Sequence, residues 1–140
     1  MSQRKIQNSL VNLMESLESL NTSINQAEID NIVIDASIYR YQVVYRLLWK
    51  SLKRILEFEG YNGLDSPRSI LKLCFSIDWI DNENDWLEII AINNQIIQAY
   101  TDKQLSVQLF QRIKGIYAEI EVLSTKLNEK YSVTQKTHLA

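Results

Sequence analysis

The sequence is poor in everything that interrupts a helix. It holds 3 glycines and 1 proline in 140 residues, too few turn formers for a fold of many short strands. Cysteine is as scarce. Cys74 stands alone, so no internal disulfide can form, and an unpaired thiol suits a reducing cytoplasm. The one histidine, His138, sits close to the end of the sequence in a polar stretch expected to fray. A histidine that is not held cannot stay at hydrogen-bond distance from a particular proton. One cysteine and one histidine give no Cys/His metal framework, and no Walker loop, dinucleotide fingerprint or HExxH occurs. No catalytic residue, metal or cofactor is therefore expected. Apolar runs long enough to span a membrane are also missing, and Met1-Ser2-Gln3-Arg4-Lys5 is not followed by the apolar block of a signal peptide. A net charge of −2 excludes chain-wide attraction to nucleic acid or anionic lipid.

What is present is helical periodicity. The length fits one domain, residues 1–140 with a polar tail from about 131, and an apolar fraction of 46% is enough to give it a core. Ile6, Leu10, Leu13, Leu17 and Leu20 step by four and three, which predicts a helix over roughly 3–20. Asn21-Thr22-Ser23 reads as a polar break with cap residues. A second, longer helix runs from about Glu28 to Glu59 and stops at Gly60, where a left-handed residue is tolerated. Ser66-Pro67 restarts a short third helix with a cap oxygen and a proline at its first position. Asp81-Asn82 caps a fourth, roughly 83–100. Thr101-Asp102-Lys103-Gln104 has the spacing of a capping box and opens a fifth, in which Leu105, Leu109, Ile113, Ile116, Ile120, Leu123 and Leu127 form a stripe. Short connections between long amphipathic helices predict an all-α, antiparallel up-and-down four-helix bundle with one short extra helix.

Three patterns exceed a plain core. On the second helix, at about 100° per residue, Tyr41, Tyr45, Leu48, Trp49, Leu52, Ile55 and Leu56 share one face, while Tyr39, Val43 and Leu47 lie opposite. Two apolar faces mean burial on two sides, the second against another helix of this chain or against a second subunit; the homodimer contact is the reading preferred, symmetric dimers being the commonest oligomers. On the same helix Arg46, Lys50, Lys53 and Arg54 fall within an arc of about 100°. Such a group is either a solvated face or a contact for phosphate or an acidic partner. On the fourth helix Trp86, Ile89, Ile90, Ile96, Ile97 and Tyr100 make an apolar stripe. Asn93 falls inside it and Asn94 and Gln98 lie on its edge. A buried Asn needs hydrogen-bond partners, so Asn93 either satisfies a neighbouring helix or faces an interface.

Several of these segments together resemble the nucleotidyltransferase substrate-binding protein family, a branch of the HEPN helical proteins. The segments are Asp35-Ala36-Ser37-Ile38-Tyr39-Arg40-Tyr41, Leu47-Leu48-Trp49-Lys50-Ser51-Leu52-Lys53, Glu57-Phe58-Glu59-Gly60, Ser66-Pro67-Arg68, Trp86-Leu87-Glu88-Ile89-Ile90 and Asn93-Asn94 to Tyr100. The resemblance implies a homodimeric four-helix bundle and a partner, a minimal nucleotidyltransferase, in a two-component, toxin–antitoxin-like module. Ribonuclease members of that group carry an arginine, a polar residue and, a turn later, a histidine on the fourth helix. Arginine holds the phosphate and histidine moves the proton. Here those positions read Asn93, Asn94 and Gln98, with Tyr100 keeping the family's tyrosine. Arg46 stands where the family often has an acidic residue. Loss of the acid–base group alone costs on the order of 10²–10⁴ in rate. The resemblance thus implies a non-catalytic subunit that binds the partner or its substrate through a groove at Asn93, Asn94, Gln98 and Tyr100. Two alternatives stand beside it. One is a ribonuclease with an altered site, in which Lys50 or Arg46 supplies the missing charge and RNA is the ligand. The other is a stand-alone adaptor bundle.

Overall fold

The computed structural model describes residues 3–132; His138 and the other residues after Ser132 lie outside the described part. Among the described residues there are five helices and no strand. They are α1 (Gln3–Ile24), α2 (Asn31–Phe58), α3 (Pro67–Ser76), α4 (Glu83–Ala99) and α5 (Lys103–Tyr131).

Helix ends follow from local chemistry. The polar triplet Asn21-Thr22-Ser23 does not break α1, contrary to the sequence expectation. Thr22 and Ser23 bond back to the carbonyls of Glu18 and Leu20 at 3.1 and 3.0 Å, which satisfies them without leaving the helix. The cap of α2 is Asp30, whose carboxylate accepts from Val33 N–H at 2.9 Å. At the other end of α2, Gly60 takes φ +103°. Tyr61 N–H bonds Leu56 O and Gly60 N–H bonds Glu57 O, both at 3.0 Å, a Schellman closure. The same closure ends α3 with Asp78 at φ +63°; there Trp79 N–H bonds Cys74 O at 2.9 Å and Asp78 N–H bonds Phe75 O at 3.2 Å. Ser66 and Ser69 form the capping box that opens α3, with Pro67 behind it. Asn82 caps α4. The cap of α5 is Asp102 rather than Thr101. Its carboxylate accepts from Leu105 N–H at 3.1 Å, one residue later than the Thr101–Gln104 spacing suggested. Tyr131 belongs to α5 and not to the tail, because its ring is buried and its hydroxyl donates to Glu59.

Packing follows the stripes. All five apolar residues expected on α1 are buried, as are Leu109, Ile113, Ile116, Ile120, Leu123 and Leu127 of α5; Leu105 is partly buried. Each such side chain contributes about 1.5–3 kcal/mol. The most extensive contact joins α1 to α2, and its hydrogen bonds fix their sense. Ser37 Oγ donates to Ser23 Oγ at 2.8 Å, Arg40 to Ser19 O at 2.7 Å and Arg54 to Ser9 Oγ at 2.6 Å. Partner numbers fall on α1 as they rise on α2, so the two run antiparallel. The contacts Ser106–Ala99 and Arg112–Gln95 show the same for α4 and α5. α5 also lies against α1, where Tyr117 donates to Leu17 O at 3.0 Å, and against α2. α4 meets α2 in its first half. There Tyr41 donates to Ile89 O at 2.7 Å, and Trp49 meets Trp86 edge-on at 6.3 Å between centroids.

Candidate functional site

The core face of α4 turns along its length. Trp86, Ile89 and Ile90 are buried near the start; Ile92, Ile96 and Ala99 are buried further on. At about 100° per residue this rotates the buried side by roughly a quarter turn. Near its start α4 packs against Tyr41 and Trp49 of α2 and is bonded by Arg112 of α5; at its end Ser106 of α5 bonds it. The turn frees residues that the fixed stripe would bury. Ile97 is 75% exposed and Tyr100 is 72% exposed. Asn93 is half-buried, and Asn94 and Gln98 are exposed. The expectation that Ile97 and Tyr100 continue the core stripe is thus corrected: both belong to an outer rim.

Tyr100, the C-cap of α4, borders a groove of about 470 Å³ closed by α2 and the start of α5. Its walls are Asp35, Ile38, Tyr39, Gln42, Ala99, Tyr100, Lys103 and Ser106. Ser106 Oγ donates to Ala99 O at 3.0 Å, which holds the α4–α5 turn against the groove floor. Tyr39 and Tyr100, assigned from the sequence to different surfaces, share these walls. Asn93, Asn94 and Gln98 do not line the groove; they occupy the adjoining rim of α4. Val43 and Leu47 are half-buried, and Leu47 packs against the core, so of that trio Tyr39 is the residue presented outward. Asp35, Gln42 and Lys103 escaped the sequence reading, since no local pattern sets them apart from solvated polar residues.

Charge on the site is sparse and placed to one side. Arg112 of α5 donates from Nε and Nη2 to both carboxylate oxygens of Glu88, at 2.6 and 2.9 Å, and from Nη1 to Gln95 at 3.1 Å. This fork, which no sequence motif announces, clamps α4 to α5 on the helix side opposite Asn93. Bonding to Arg112 pulls the Glu88 carboxyl below its ordinary range. Beneath the clamp the Tyr41 hydroxyl is pushed up by burial first and by Tyr45 and Glu88 after that, so it stays a neutral donor to Ile89 O. On α2, Arg46, Lys50 and Lys53 are exposed, whereas Arg54 turns to α1 and is held by Ser9. The four-residue basic group of the sequence is therefore three free cations and one structural one. Among the described residues no three His, Cys, Asp or Glu side chains are grouped to hold a metal, and no helix is long and apolar enough to cross a membrane.

An all-helical protein with an aromatic groove and an uncharged α4 rim is the class these features define. The family described as nucleotidyltransferase substrate binding protein like matches residues 7–129, and the chain belongs to it. No curated protein matches the chain in sequence. The crystal structure of a Thermus thermophilus protein superposes with a TM-score of 0.75 at 20% identity, covering 82% of this chain and 98% of that one. At that identity the likeness concerns the fold alone.

Proposed function

We propose that this chain is the non-catalytic helical subunit of a two-component, toxin–antitoxin-like module, and that it pairs with a minimal nucleotidyltransferase in the cytoplasm. The reading rests on one observation, the family match over residues 7–129. The residues of α4 fit it. Where ribonuclease relatives carry arginine and histidine, Asn93 and Gln98 have neither a fixed positive charge nor a titratable proton. In this reading the four long helices act as an antiparallel HEPN-type bundle, and two copies form a homodimer. Asn93, Asn94, Gln98 and Tyr100 then serve as a contact surface for the partner or its substrate.

Tagged protein recovered from its native cells should bring down a small nucleotidyltransferase in stoichiometric amount. Recovery of the chain alone would reject the pairing. Purified protein should leave total cellular RNA intact, and so should the Asn93→Ala, Gln98→Ala double variant. Cleavage by the first and not by the second would restore the ribonuclease reading.

A further inference from the structure

We infer that the outward face of α2 from Arg46 to Lys53, with Arg68 of α3, binds a short polyphosphate chain, the chemistry carried by a nucleoside triphosphate tail or by inorganic tripolyphosphate. The inference concerns the isolated chain and does not rest on the partner reading above.

Arg46, Lys50 and Lys53 lie within an arc of about 60° on α2, and all three are exposed. Arg68 stands in the first turn of α3, also exposed. α3 packs against α2, and the charge of Arg68 reaches the hydroxyl of Tyr45, the residue before Arg46. None of these four cations makes an ion pair or hydrogen bond among the described residues. The contrast with the other arginines of the helix pairs is plain: Arg40 and Arg54 bond to α1, and Arg112 bonds to α4. Those three serve the fold, and Arg46 and Arg68 do not.

The ordinary solvated face mixes both signs of charge. This one does not. Between Tyr41 and Leu56 the sequence has four basic residues and no acidic one, and α3 adds Arg68 and Lys72 with no acid either, in a chain of net charge −2. A concentrated positive patch on a net negative protein raises the local concentration of small anions.

The length of the patch selects a short anion. From Arg46 to Lys53 the helix rises about 10 Å. Beyond that, Glu57 follows Lys53 by one turn on the same face. A strand of nucleic acid running along α2 would meet that carboxylate. Two or three linked phosphates would not. Arg46 and Arg68 can each present a planar fork to phosphate oxygens, and Lys50 and Lys53 continue the patch along α2 as point charges.

The test is calorimetric titration of the full chain at about 0.15 M salt, where exposed charges are already screened. The titrants are tripolyphosphate, ATP, orthophosphate and a single-stranded oligonucleotide. Tripolyphosphate should bind one per chain, at least about tenfold tighter than orthophosphate. ATP binding equal to tripolyphosphate would show that phosphate alone is read; tighter ATP binding would name the nucleotide as the source, and both support the site. Lys50→Glu with Lys53→Glu, and separately Arg68→Glu, should each weaken tripolyphosphate at least about tenfold. Lys126→Glu on α5 should not. The milder Lys50→Gln with Lys53→Gln guards against a folding defect. No saturable tripolyphosphate binding, or equal loss in the Lys126 variant, overturns the inference. So does an oligonucleotide that binds more tightly than tripolyphosphate.

Discussion

At the residue scale, the buried hydroxyls divide into two kinds. Ser23 and Ser37 bond to each other across α1 and α2. Ser51 and Ser124 are fully buried, yet their Oγ atoms meet no partner. An unmade hydrogen bond in a buried site costs about 1–3 kcal/mol, and serine is also a poorer helix former than alanine. Ser124→Ala should therefore raise stability by about 0.5–1.5 kcal/mol, whereas Ser37→Ala should lower it by about 1 kcal/mol. Urea unfolding at unchanged slope would read both as shifts of midpoint in opposite directions. A loss on Ser124→Ala would mean that its hydroxyl is satisfied in solution.

At the element scale, most boundaries were legible because caps are local chemistry. Ser66-Pro67, Asn82 and Gly60 act where their residue types say they should. The polar triplet at 21–23 misled because serine and threonine can bond back within a helix as easily as they cap one. Asp102 displaced Thr101 as cap by a single residue, since both offer an oxygen and only three-dimensional placement chooses between them. The site on α4 was less legible for a physical reason. A stripe read from periodicity assumes one buried side along the whole helix, and the buried side of α4 turns midway. Ile97 and Tyr100 fell on the wrong side of that turn, and the Tyr39–Tyr100 groove depends on a contact between distant segments.

The Arg112–Glu88 clamp offers a test of how α4 is held. Glu88 titrates below its ordinary 4.5 because Arg112 bonds it. A carboxyl depressed in the folded state stabilises fully above its unfolded value and loses that contribution as pH falls through the folded one. The two groups are about a third exposed (32% and 30%), so the contribution is modest, about 0.5–1 kcal/mol. Glu88→Gln should cost that amount at pH ~7 and nearly nothing at pH ~2. Paired urea titrations at the two values check it, and a pH-independent difference would remove the carboxylate from the account of the clamp.

At the scale of the whole molecule, the free surfaces lie apart by chemistry. The basic stretch of α2 is one; the rim that carries Tyr39, 66% exposed, with Ile97 and Tyr100, is another. Clustered large apolar side chains left in water mark an interface, and a second copy of the chain is the occupant that the proposed homodimer requires. The solution mass at micromolar concentration should then be twice the 16.4 kDa of the chain. Ile97→Glu combined with Tyr39→Glu should yield a monomer with nearly unchanged helix content, because neither side chain supports the core. Leu47→Asp should behave differently. Leu47 packs against the core, so a charge there should lower the unfolding midpoint of the subunit itself by burying an unpaired carboxylate. Dissociation by Leu47→Asp without loss of subunit stability, together with an intact dimer for the Ile97 and Tyr39 pair, would move the seat of the dimer to the Val43–Leu47 side of α2 and leave the aromatic groove open to the partner.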